Sequence, residues 1–131
     1  MTFLDRIKRA KRVYIIGNGG SYANAIHFCN DLISCGIKAF TIDPSTLTAI
    51  ANDYGYHQVF SRWLKTVGDS GDMLIALSGS GKSPNILNAI VTAENIGMDV
   101  ERIFGAPRLK MQAAEEEQLT LVHEWRKELC A

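Results

Sequence analysis

Twice in this chain a short apolar run breaks into a turn of glycine, serine and asparagine and then into a helical pattern. The two stretches are VYIIGNGGSYANAI over residues 13–26 and MLIALSGSGKSPNIL over residues 73–87. An apolar run of four or five residues without polar alternation reads as a strand buried on both faces. A strand that turns at once into a helix opens a β–α unit. Two such units call for a parallel sheet with right-handed helical crossovers on its faces. This constrains the fold more than any other feature of the sequence.

The rest of the chain fits around that frame. Val13 to Ile16 is the first expected strand, followed by a helix from about Tyr22 to Cys35. KAFTI (38–42) is a second strand, and Asp43-Pro44 supplies an N-cap and first-turn proline for the next helix. A helix over Gln58 to Val67 leads to a third strand, Met73 to Leu77. Ser83 and Pro84 then open a helix ending near Gly97, and VERIF (100–104) is a fourth strand. Met111 to Leu129 forms a long last helix, with Met111, Ala114, Gln118, Val122, Trp125 and Leu129 along one stripe. No repeat or linker divides the chain, so a single domain over residues 1–131 is expected.

Bulk properties exclude several classes. Fourteen basic residues balance fourteen acidic ones, so no global field draws nucleic acid or an anionic membrane. The apolar runs are far shorter than the roughly 20 residues of a membrane span. The first dozen residues lack the apolar stretch of a signal peptide. Cys29, Cys35 and Cys130 are odd in number and show no CxxC spacing, which predicts free buried thiols in a reducing cytoplasm.

The two turns resemble nucleotide loops only in part. A Walker A loop ending in Gly81-Lys82-Ser83 needs its first glycine at residue 76, which is Ala76. A dinucleotide fingerprint starting at Gly17 and Gly19 meets Tyr22 where its third glycine belongs. No nucleotide cofactor is therefore expected. What remains is short hydroxyls and free backbone N–H groups at two helix N-termini. Ser21 stands at one, with Ser78, Ser80 and Ser83 around the other, an arrangement suited to a single phosphate group.

GNGGSYANAIHF, ANDYGYHQVFSR and ALSGSGKSPNILNAI, in this order, resemble the sugar isomerase (SIS) domain, in its phosphoheptose isomerase branch. The resemblance runs from about Val13 to Val100 and more weakly over the last helix. It implies an α/β fold, a three-layer α/β/α sandwich with a flavodoxin-like parallel sheet of four to five strands. It also implies a homo-oligomer, a tetramer or dimer, with sites between subunits. Ser21 in the first loop and Ser78, Ser80 and Ser83 in the second would hold the phosphate of a phosphorylated sugar, Gly19, Gly20 and Gly79 would take part in binding it, and Asn18 would lie near the sugar. Asn52 and Asp53 would bond its hydroxyls.

Interconverting an aldose and a ketose moves one proton between neighbouring carbons through an enediol. The reaction needs a base at carbon and a second group that manages the oxygen protons. His27 and Asp31 stand one helical turn apart on the second helix, with Asn24 and Ser34 extending the stripe. The resemblance assigns catalysis to Asp31 and His123, and a zinc ion in some members to His27, Asp31, Glu115 and His123. Imidazole and carboxylate donors suit that metal. This chain carries Asp31 where the family usually has glutamate, and it is shorter before the first strand and after Val100. The leading expectation is an isomerase of sedoheptulose 7-phosphate. The alternative is a non-catalytic module that binds a sugar phosphate or a partner protein, such as a replication initiator.

Overall fold

A computed structural model describes residues 1–105 and 110–130. The elements follow in the order α1 (Phe3–Arg9), β1 (Val13–Ile16), α2 (Gly20–Ser34), β2 (Ala39–Phe40), α3 (Pro44–Tyr54), a 3-10 turn (Tyr56–Gln58), α4 (Val59–Val67), β3 (Met73–Ser78), α5 (Pro84–Ile96), β4 (Asp99–Phe104) and α6 (Met111–Leu129). The four strands form one sheet in the order β2-β1-β3-β4, and every pairing is parallel. The chain thus steps outward from β1 to β2 and then returns to the other side of β1 for β3. That reversal places the loops after β1 and β3 side by side at the carboxyl edge, where open parallel sheets leave a crevice.

The centre of the sheet is buried on both faces because β1 and all of β3 except its last residue, Ser78, are apolar or aromatic. Tyr14, Ile16, Leu74 and Ala76 point into one core with Phe60 and Leu64 of α4 and Ile86, Ala89 and Ile90 of α5. Val13, Ile15, Met73, Ile75 and Leu77 point into the other, against Ile7 of α1, Phe28 and Leu32 of α2 and Val122 of α6. Alternation along each strand therefore produces three layers.

Several elements depart from expectation. β2 contracts from the expected 38–42 to two residues, and α2 begins at Gly20 rather than at Tyr22. The seven-residue α1 was not anticipated. Thr2 accepts a bond from the Asp5 N–H while Asp5 accepts one from the Thr2 N–H, a capping box that stabilises a helix too short to stand alone. On α6 the expected stripe is buried at Ala114, Gln118 and Val122, whereas Met111 is exposed.

The expectation of three free thiols fails for two of them. Cys35, at the C-cap of α2, is bonded to Cys130, at the C-cap of α6, with their Cα atoms 5.1 Å apart. The helices lie together as neighbours, so their ends meet although 95 residues separate them in the chain. Spacing carries no sign of this. Cys29 is free and buried, and its surroundings push the thiol pKa up.

Candidate active site

The loops after β1 and β3 meet in a narrow cleft. Asn18, Ser21, Ser78, Gly79, Ser83 and Met111 line a cavity of about 30 Å³, room for roughly one water. The first loop is shaped by its glycines. Gly19, at the N-cap of α2, holds φ at +54°, a left-handed backbone that costs a residue with a Cβ. At Gly17 a Cβ would lie 2.6 Å from the carbonyl carbon and oxygen of Ser21, so only hydrogen fits there. The Glu115 carboxylate packs directly against Gly20 at the N-terminus of α2, and the Met111 sulfur packs against Gly79. The first turns of α6 therefore lie over both loops.

The hydroxyls of the second loop are partly engaged. Ser78 Oγ accepts from the Gly81 N–H at 2.9 Å, and Ser80 Oγ accepts from the Lys82 N–H at 3.1 Å. Each keeps its O–H as a donor. Ser83 takes the N-cap position of α5 without a side-chain capping bond, which leaves its hydroxyl available. Ser21 is buried at the start of α2. Four hydroxyls expected to surround one phosphate are thus gathered around two adjoining helix N-termini. Asn52 and Asp53 stand exposed on the last turn of α3 and are hydrogen-bonded to each other.

Further along α2, the last helix brings its histidine to the expected partner. His27 and His123 face each other with their Nε2 atoms 3.0 Å apart, a hydrogen bond that needs a proton on one ring and a lone pair on the other. Asp31 Oδ2 lies 3.4 Å from the same His27 nitrogen, and Asp31 Oδ1 lies 3.4 Å from Arg126 Nε. Asp31 Oδ2 is buried without a hydrogen-bond partner among the described residues. A carboxylate oxygen shielded from water keeps unused lone pairs there. The register of α6 over α2 is pinned by Asn24, whose Nδ2 donates to the Glu115 carbonyl at 2.9 Å and to Gln118 Oε1 at 3.1 Å.

The expected metal set is only partly assembled. His27, His123 and Asp31 adjoin one another, but Glu115 turns to Gly20, seven residues and about 10 Å before His27 along α2. Among the described residues no group of three or more His, Cys, Asp or Glu is arranged to hold a metal ion. The shortfall is therefore not Glu115 alone: its carboxylate lies against Gly20, and His27, Asp31 and His123 adjoin without forming a metal-holding group.

Three residues of this region escaped the reading of the sequence. Asn18 Oδ1 accepts from Tyr56 Oη at 2.7 Å and from Asn85 Nδ2 at 2.9 Å, and Asn85 Oδ1 accepts in turn from Asn18 Nδ2 at 2.9 Å. Arg126 joins through Asp31. The one available signal was Asn85 itself, a polar residue at the start of a helix on the side that the apolar pattern buries.

These loops and this order of strands agree with a family model for the SIS domain that matches residues 2–104. The chain belongs to the SIS domain family. It is 46% identical over 110 residues to the phosphoheptose isomerase of Campylobacter concisus, covering 77% of this chain and 58% of that protein. It is 39% identical over 126 residues to that of Sodalis glossinidius, covering 91% of this chain and 65% of that protein. The chain thus spans about three-fifths of the length of these curated relatives. Its fold is similar to the solved structure of a phosphoheptose isomerase from Neisseria gonorrhoeae, with a TM-score of 0.88 at 29% identity over 96% of this chain and 79% of that one.

Proposed function

We propose that this SIS domain is a phosphosugar isomerase, interconverting sedoheptulose 7-phosphate and D-glycero-D-manno-heptose 7-phosphate through an enediol. The observation that carries the reading is the His27–His123 contact beside the unpartnered oxygen of Asp31, on the helix whose N-terminus enters the serine cleft. Ser21 and His27 are six residues apart on α2, about 9 Å of rise. That span suits a long sugar chain with its phosphate at one end and its carbonyl at the other better than a triose.

In the proposed reaction Ser21, Ser78, Ser80 and Ser83 hold the phosphate, and Asn52 and Asp53 meet hydroxyls. Asp31 takes the proton from the carbon beside the carbonyl. His123, in contact with His27, exchanges protons with the two sugar oxygens as the enediol forms and collapses. Asp31 then returns its proton to the neighbouring carbon, so the step is redox-neutral overall. By donor type His27, Asp31 and His123 would be ligands of a zinc ion, which would supply Lewis-acid polarisation of the sugar oxygens. With Glu115 turned to Gly20 the four residues do not form a metal site as they stand.

The same reading takes residues 1–131 as one domain acting in the cytoplasm. It includes a homo-oligomer, in keeping with the exposed Ile26, Ile33, Leu87 and Val91. No helix among the described residues is long and apolar enough to cross a membrane. The narrow cleft favours a second reading, a module that docks a partner without turnover, because Met111 leaves too little room for a phosphate unless it moves.

Proton NMR in deuterated water separates the two. With ketose phosphates of five to seven carbons, deuterium enters the carbon next to the carbonyl, fastest with the heptulose. Exchange falls by about a hundredfold or more in Asp31→Ala or His123→Ala. Binding of a sugar phosphate with no exchange in the parent protein overturns the enzyme and leaves the module.

A further inference from the structure

We propose that Asn85 is a positioning residue that, together with Tyr56, locks the Asn18 carboxamide as a one-way donor toward an anionic oxygen in the cleft. The inference rests on the isomerase reading for its substrate but not for its geometry. Asn18 Oδ1 accepts two hydrogen bonds, from Tyr56 Oη and from Asn85 Nδ2, which is the full capacity of a carbonyl oxygen. Its Nδ2 gives one N–H to Asn85 Oδ1 and keeps the other. Asn18 borders the cleft beside Ser21 and Ser83. A carboxamide whose acceptor is saturated and whose remaining N–H is free has only one sign to offer. It suits a phosphate oxygen and cannot accept from a sugar hydroxyl.

Asn85 is the part of this lock that catalysis does not touch. It is 2% exposed and sits at the second position of α5, immediately behind the Ser83 N-cap. The reciprocal pair of bonds therefore ties the β1–α2 loop to the N-terminus of α5, and both serine groups move as one body. Without the pair, Asn18 is free to rotate its amide by half a turn and present a carbonyl to the incoming anion. Tyr56, half exposed, closes the lock from outside.

The test uses inorganic phosphate as probe, followed through the side-chain amide signals of the 15N-labelled full chain, with isomerase kinetics in parallel. In the parent, phosphate shifts the Asn18 amide. Asn85→Ala weakens phosphate binding and raises KM by about tenfold, the loss expected for a hydrogen bond to a charged group. Its kcat stays within about threefold, because the proton-transferring groups are untouched. Tyr56→Phe, at an exposed site, moves both constants the same way by a smaller factor and serves where Asn85→Ala does not fold. An Asn18 amide that phosphate leaves unmoved, or variants that bind phosphate and substrate as the parent does, overturn the proposal. Phosphate binding that depends on Asn85 without any deuterium exchange removes the isomerase and leaves this assignment standing. Exchange with an unaltered KM in both variants does the reverse.

Discussion

Replacing Gly17 by alanine tests whether close approach shapes the first loop. Gly17 lies at the end of β1, and its backbone angles are ones that any residue adopts, so the cost of a side chain is one of space alone. The new Cβ would lie 2.6 Å from the carbonyl carbon and oxygen of Ser21, against 3.4 Å for ordinary contact. Those atoms belong to the backbone of α2, so no rotamer relieves the clash and the start of the helix must shift by about 0.8 Å. Overpacking of this kind costs about 1–3 kcal/mol. For 131 residues the unfolding entropy is about 0.28 kcal/mol/K, so 2 kcal/mol lowers the melting temperature by about 7 °C. The same shift displaces Ser21 from the cleft. A misplacement near 1 Å costs about a hundredfold in a positioned reaction, so turnover falls more than stability alone accounts for. Thermal unfolding with a phosphate titration at a temperature where the variant is fully folded reads both effects. A variant that melts within a degree of the parent and binds phosphate equally would refute the argument from contact.

Three further outcomes are expected. Reducing the Cys35–Cys130 bond, or replacing Cys130 by serine, releases a loop of 95 residues and lowers stability by about 4.7 kcal/mol in the chain-entropy account; urea midpoints with and without reductant check this, and equal midpoints count against it. Phe28→Ala opens a fully buried site against Trp125, whose ring lies 5.6 Å away, and costs about 3 kcal/mol or more by calorimetry. Hydrogen bonds from Arg6 hold the Asp99 carboxyl below its ordinary value of 3.8, so their stabilisation is present above that value and lost as pH falls through the lower folded one. Arg6→Ala is therefore less stable than the parent by about 1 kcal/mol near neutrality, and the gap closes in acid below pH 3.8.

What could be read from the sequence was whatever is encoded locally. Asp43-Pro44 and Ser83-Pro84 mark helix starts because cap and first turn are neighbours in the chain, and both helices begin there. Val13 to Ile16 and Met73 to Leu77 declare themselves by unbroken apolarity, the mark of a strand covered on both faces, and the third strand runs one residue further, to Ser78. The facing of His27 and His123 came from resemblance, since 96 residues separate them and no pattern in either helix names the other. The Cys35–Cys130 bond lies beyond local reading for the same reason. Likewise the Asn18–Asn85–Tyr56 lock joins three segments through single side chains, where one amide gives no periodicity to detect. β2 shrank because its pairing with β1 extends only over Ala39 and Phe40, whatever the propensity of its flanks.

The outer side of β4 has a consequence for how copies of this chain meet. Asp99 donates to the Asp72 carbonyl just before β3 and Gly105 to that of Ser78 at its end, so the alternate residues Val100, Arg102 and Phe104 turn their backbone groups away from β3. An open margin of this kind is a template on which a foreign strand can assemble. Arg6 reaches across it from α1. Its guanidinium holds Asp99 and Glu101 and also takes the Val100 carbonyl at 3.2 Å, so one docking point is already occupied and the margin carries fixed charge. The short first helix, which the sequence scarcely announces, thus serves as a guard against edge-to-edge association.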